Sequence, residues 1–278
     1  TRGIKFSMAD VIGPVRDVIV KSELINLIGK NSLFIRTADA LDFYKGNEIS
    51  DEKEQYKFIA APVNFHKEIS LFEKFQSLDF IGMMGVTGAG IYGRFMNMCN
   101  GANLAYEKRA FYAVEGFNGI DKIASGDDML LLQKMAKHFP NQVGFLKNKN
   151  ATVLTNAKPD LKSFYQQRIR WASKSGNYQE LQILFILALV FFFCLSIVFN
   201  LILLPFFFTK IGWVFLTQLF IKTIIDFFYL NHLTSFFQRK DLMKIFFPAQ
   251  VFHILYIFVF GLLGNLVKEY SWKGRKVK

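Results

Sequence analysis

At 278 residues the chain has room for one soluble domain of about 150 to 200 residues and a few membrane segments. Its net charge of +12 comes from scattered lysines and arginines. No arginine-rich helix, zinc-ligand set or aromatic RNA-binding strand motif accompanies them, which argues against nucleic acid and for anionic lipid headgroups and anionic substrates. Two cysteines, Cys99 and Cys194, supply neither a disulfide framework nor a cysteine metal site, as expected of a domain facing the cytosol.

The chain starts at Thr1 with no signal peptide ahead of its soluble part, so further upstream sequence is expected. Residues 1–180 mix charged and apolar positions as a globular domain does, whereas residues 181–267 are dominated by Phe, Leu and Ile and lead into a basic tail ending at residue 278. Leu33 to Thr37 reads as a short buried strand that ends at Ala38 and Asp39, and Tyr56 to Phe65 as a second strand. Apolar Ile69, Phe72, Phe75 and Phe80 recur at helical spacing, which predicts a helix over Glu68 to Phe80. A glycine-rich passage, Gly82 to Gly93, follows. Next come a strand near Met98 to Ala105 and helices at Glu107 to Val114 and Asp127 to His138. Strands alternating with helices predict an α/β layered domain.

Three motifs within this domain can carry chemistry. Ser125-Gly-Asp-Asp128 opens a helix: Ser125 can cap the first turn while Asp127 and Asp128 oppose the positive end of the helix dipole. The same position favours an ionised carboxylate that can take a proton from an attacking hydroxyl. Asn100-Gly-Ala-Asn103 gathers small residues that serve either a tight turn or a close approach of backbone amides to a sugar or phosphate. Gln167-Arg-Ile-Arg-Trp171 lies on an amphipathic helix expected over residues 160–178. One reading gives it an interfacial role, with an aromatic-belt tryptophan and snorkelling arginines. The other has Arg170 grip a pyrophosphate bidentately while Trp171 offers a flat face to a sugar ring.

Beyond this helix, Ile183 to Phe208 is free of charge over 26 residues, enough at about 1.5 Å per residue to cross a hydrocarbon core of roughly 30 Å. Ile245 to Val267 is charge-free over 23 residues, though interrupted by Pro248, Gly261 and Gly264. Between them, Ile211 to Leu230 carries Gln218, Lys222 and Asp226 at intervals of four, hence on one helix face. That stripe faces either a bundle interior or the wet side of a helix at the interface. Two to three spans are expected. Arg239, Lys240 and Lys244 favour a cytosolic loop, yet a third crossing would carry the basic tail outside.

Asn-Gly-Ala-Asn-Leu-Ala-x-x-Lys-Arg, then Gly-Phe, Gly-Asp-Asp-x-x-Leu and Gln-x-x-Arg-Trp ahead of membrane helices resembles the membrane-bound family 2 glycosyltransferases, the group of cellulose and hyaluronan synthases. The match is closest to single-chain bacterial members with three C-terminal membrane segments, and it runs from about Lys57 to the C-terminus. The resemblance implies a GT-A type nucleotide-sugar-binding domain, its N-terminal part incomplete, that inverts the anomeric centre at the cytosolic face of the inner membrane. Asp128 stands where the family has its general base, and Asp127 where it has an acidic neighbour. Gln167, Arg170 and Trp171 match the diphosphate and acceptor motif, and Asn100, Gly101 and Asn103 fall on the acceptor-side strand. A nucleotide-sugar donor, a lipid-linked or glycan acceptor, and Mg2+ or Mn2+ are implied. The family's metal-binding Asp-x-Asp corresponds to Asp39-Ala-Leu41, followed by Asp42. A leucine cannot ligate a hard cation, so metal binding through Asp39 is expected to be weak or absent. Leu41 and the short N-terminal part also leave open a non-catalytic membrane scaffold descended from such an enzyme. A small transporter using Lys222 and Asp226 is a third alternative.

Overall fold

The computed structural model describes residues 8–9, 33–34, 56–120, 126–172, 180–266, 270–272 and 275–277. Strand β1 (Met8–Ala9) runs parallel to β2 (Leu33–Phe34). The single strand expected over Tyr56 to Phe65 is two strands, β3 (Phe58–Ala60) and β4 (Val63–His66). The break falls at Ala61-Pro62, where proline has no N–H to continue a ladder. Ala61 N–H donates to Asn103 O at 3.0 Å, and Pro62 O accepts from Val153 N–H at 3.0 Å.

Helix α1 (Leu71–Tyr92) is 22 residues long and starts with a capping box in which Ser70 and Glu73 satisfy each other's backbone N–H groups. It does not stop near Phe80. It continues through the glycine-rich passage to Gly93, although each interior glycine costs about 1 kcal/mol relative to alanine. A long helix packs on this glycine face. Leu233 and Tyr229 side-chain atoms lie within 2.5 Å of where a Gly85 Cβ would stand, and Tyr229 Oη donates to Gly82 O at 2.9 Å.

Strand β5 (Leu104–Tyr106) is shorter than expected, and α2 (Lys108–Ala113) and α3 (Asp127–His138) follow. Then come β6 (Val143–Phe145), a 3-10 turn at Lys149–Ala151, β7 (Val153–Asn156) and α4 (Leu161–Ala172). β3 is the centre of a three-stranded sheet, antiparallel to β5 and parallel to β6, while β4 pairs in parallel with β7. Phe58 and Ala60 on this sheet meet Leu130, Leu131, Leu132 and Met135 of α3 in a buried core. The result is a mixed α/β domain with small sheets, as its alternating pattern predicts.

Among the described residues three helices are long and apolar enough to cross a membrane: α5 (Leu181–Leu203), α6 (Phe208–Phe236) and α7 (Phe246–Leu266), the last preceded by a 3-10 turn at Lys240–Ile245. Six of their polar residues are joined by side-chain hydrogen bonds. Asn200 Nδ2 donates to Gln218 Oε1 at 2.8 Å, Gln218 Nε2 donates to Ser196 Oγ at 3.0 Å, and Lys222 Nζ donates to Gln250 Oε1 at 2.8 Å and to Asp226. Lys222 is 7 % exposed, so the polar stripe on α6 faces the bundle interior. Beyond α7, β8 (Tyr270–Trp272) pairs antiparallel with β9 (Arg275–Val277).

The link between α6 and α7 is fastened to the α/β domain. Arg239 donates through Nη1 to Phe65 O and Glu68 Oε1, both at 3.1 Å, and through Nη2 to Glu68 Oε2 at 3.0 Å. Leu242 is fully buried beside Phe75, Leu78 and Ile81 of α1. The basic loop of Arg239, Lys240 and Lys244 therefore lies on the side of the α/β domain. Burial pushes the Glu68 carboxyl pKa up, but the bonds from Arg239 and Ser77 outweigh it and leave the group below its ordinary value.

Candidate active site

Asp127 and Asp128 open α3, as their sequence position predicts, but the N-cap is Gly126, in the left-handed region at φ +101° and with no side-chain cap bond. Ser125, expected to cap this turn, lies outside the described residues. Asp127 is exposed. Asp128 is half-buried and each of its oxygens accepts a backbone N–H: Oδ1 from Met129 at 2.9 Å and Oδ2 from Gly101 at 2.7 Å. A carboxylate oxygen carries more than one lone pair, so this seating fixes the group and still leaves capacity for a hydroxyl proton.

The partner turn explains its small residues. Asn100 Oδ1 accepts from Ala102 N–H at 2.9 Å, and Asn103 N–H donates to Asn100 O at 3.0 Å. A Cβ on Gly101 would stand 2.9 Å from Asp128 Oδ2, so a larger residue here would push the carboxylate aside. Asn103 is a fastener: its Nδ2 donates to Pro62 O and to Ala151 O, each at 2.7 Å. These bonds tie the turn to the break between β3 and β4 and to the 3-10 turn before β7.

The same segment is anchored to the first apolar helix. Asn97 donates from its backbone and from Nδ2 to the two oxygens of Glu180, each at 2.8 Å, immediately before α5. Met96, Met129 and Ile183 form one buried cluster. Neither link is legible as a motif. Glu180 has no local partner at helical spacing, and Asn97 pairs with it across 83 residues.

Gln167, Arg170 and Trp171 occupy the C-terminal half of α4 and are all half-buried. Gln167 Oε1 is buried with no hydrogen-bond partner among the described residues. Trp171 packs on the cluster of Val63, Phe65, Phe80, Met84 and Ala157. The two groups of residues thus flank one stretch of chain: Asn103 holds Pro62, and Trp171 rests on the strand that follows it. Arg168 is not the snorkelling arginine of the interfacial reading. It is 1 % exposed and ion-paired with Asp79 at 3.0 Å.

A divalent cation is common in the enzymes this sequence resembles. Among the described residues no group of three or more His, Cys, Asp and Glu side chains could hold one, and Asp39, Leu41 and Asp42 lie outside those residues.

No curated protein and no solved structure matches the chain. The family model described as glycosyl transferase family group 2 matches residues 43–264, which takes in α1 to α6, nearly all of α7 and every candidate site residue except Asp39 and Asp42. The chain therefore belongs to the glycosyl transferase family group 2 and is a glycosyltransferase, with three C-terminal helices that are long and apolar enough to cross a membrane.

Proposed function

We propose that this glycosyltransferase moves a sugar, with inversion, from a nucleotide-diphosphate donor to a lipid-linked or glycan acceptor at the cytosolic face of the inner membrane. The observation that carries the proposal is the 2.7 Å bond from Gly101 N–H to Asp128 Oδ2, which joins the Asn-Gly-Ala-Asn turn to the Gly-Asp-Asp carboxylate. Asp128 is the general base. It takes the acceptor hydroxyl proton as that oxygen bonds to the anomeric carbon and the bond from this carbon to the diphosphate breaks. Arg170 and Gln167 hold the departing diphosphate, whose growing charge a guanidinium stabilises most in a site that excludes water. Trp171 bounds the acceptor side, and Asp127 adds negative potential beside the base.

Transfer at a membrane is supported by the contacts of Asn97 with Glu180 and of Met129 with Ile183, which place the start of α3 beside α5. Basic residues on the domain side favour the cytosolic face. The test is transfer of label. The full chain in nanodiscs is given radiolabelled UDP-, GDP- and dTDP-hexoses with polyprenyl phosphate and, separately, with a short glycan primer. Label appearing on lipid or primer is the expected result. Donor binding with no transfer to either class would favour the second reading, a non-catalytic scaffold, for which Leu41 is the specific observation.

A further inference from the structure

Arg168 sits inside the Gln167-to-Trp171 motif, and none of the roles above uses it. Its Nη2 donates to Asp79 Oδ2 at 3.0 Å, and the two side chains are 1 % and 7 % exposed. The guanidinium lies over three rings, 4.4 Å from the centroid of Trp171, 4.8 Å from Phe164 and 5.1 Å from Tyr256. His253 Nε2 stands 3.9 Å from the other Asp79 oxygen. Asp79 belongs to α1, Arg168 and Trp171 to α4, and His253 and Tyr256 to α7. One cation therefore joins three helices.

Stability alone does not account for such a pair, because well-packed apolar side chains in its place are often as stable or more so. Geometry does. A guanidinium held by Asp79 through Nη2 and enclosed by the rings of Phe164, Trp171 and Tyr256 ties α4 to α1 and α7 at one point of its circumference. Arg170, two residues on, lies about 200° around the helix and away from the buried side. Trp171, three residues on, shares the face of Arg168 and has that side of its ring covered.

We propose that the Arg168–Asp79 pair is a positioning device for glycosyl transfer: it sets the rotation of α4 and the plane of Trp171, and so holds Gln167 and Arg170 where the donor diphosphate binds. This rests on the reading of Arg170 as a diphosphate ligand.

The full chain in nanodiscs tests it, with whichever of UDP, GDP and dTDP the parent binds most tightly as probe and with Trp171 as sole fluorophore in a Trp213→Phe/Trp272→Phe parent. Asp79→Val/Arg168→Met should melt within about 3 °C of the parent. Its Trp171 should be quenched by acrylamide about twofold more readily and its nucleotide dissociation constant should rise about tenfold. Arg168→Lys keeps the charge for Asp79 but loses the broad guanidinium among the rings; it should shift quenching and binding the same way, and it stands in if the double variant does not fold. Unchanged quenching and binding in a folded variant overturns the proposal, and so does binding that weakens only in step with melting temperature. Arg170→Ala separates the two ideas. If it binds nucleotide as the parent does, or if the parent binds none of the three, the donor-site reading fails and the positioning role falls with it. If Arg170→Ala binds weakly while the Arg168 variants bind normally, only the positioning role is lost.

Discussion

Gly101 and Asp128 are 27 residues apart in sequence, and they meet with the Gly101 N–H 2.7 Å from Asp128 Oδ2. The contact is tight enough that a Cβ on Gly101 would lie 2.9 Å from the same oxygen. Two motifs that read separately in sequence are thus one unit in the fold: the small-residue turn seats the carboxylate.

Gly101→Ala should therefore displace the carboxylate and leave the exposed turn folded. Turnover is expected to fall about tenfold or more, since small misplacements of a reacting group are costly. The melting temperature should change by no more than a few degrees. Turnover and melting measured on one preparation check this; full activity would mean that the contact does not position the base.

Asn103 is expected to act through stability instead. Removing its amide leaves Pro62 O and Ala151 O without their shared donor, at a cost of about 2 kcal/mol. Thermal unfolding of Asn103→Ala should show that loss with the donor dissociation constant little changed. A stable variant with weakened donor binding would assign Asn103 to the substrate instead.

The clamp between Glu68 and Arg239 gives a pH signature. The Glu68 pKa is lowered in the fold from an ordinary 4.5, so its contribution is fully present above that value and is lost as pH falls through the lower, folded-state pKa. Glu68→Gln should be less stable than the parent at pH 7, by about 2 kcal/mol. The gap should close below pH 4.5. Melting curves of both proteins across that range check it, and a gap independent of pH would contradict the ion pair.

Within the bundle, Lys222→Met leaves Asp226 without its cation and is expected to cost about 3 to 5 kcal/mol, whereas Lys222→Met/Asp226→Leu should recover most of it. Unfolding in detergent distinguishes packing from transport. A double variant that is stable yet loses an ion-dependent activity would support a transport role for the pair.

Much of this architecture is legible in the sequence. Helix α3 begins and ends where periodicity and its paired aspartates place it, at Asp127 and His138. All three apolar segments are helices, with ends displaced by a few residues. The glycine passage was not legible, because local propensity opposes helix there and the contacts of Leu233 and Tyr229 that offset this come from a segment about 150 residues later. Arg168 leaves a partial signal, with Phe164 at i−4 and Trp171 at i+3. Its ion partner Asp79, however, lies 89 residues away, and no local pattern announces it. The stripe on α6 revealed that Lys222 and Asp226 share a face, and Gln250 of α7 supplies the contact that shows which way the face turns.

The most direct measurement is single-turnover transfer by Asp128→Asn, compared with the parent at saturating nucleotide sugar in the same nanodiscs. Asparagine preserves the shape and can keep an acceptor oxygen for Gly101 N–H, giving up the bond from Met129 N–H, and it is a far weaker base. The variant should melt within a few degrees of the parent and bind nucleotide with similar affinity, while transfer falls by about a thousandfold or more. Transfer within about threefold of the parent, with fold and binding intact, would contradict the assignment of Asp128 as the proton acceptor.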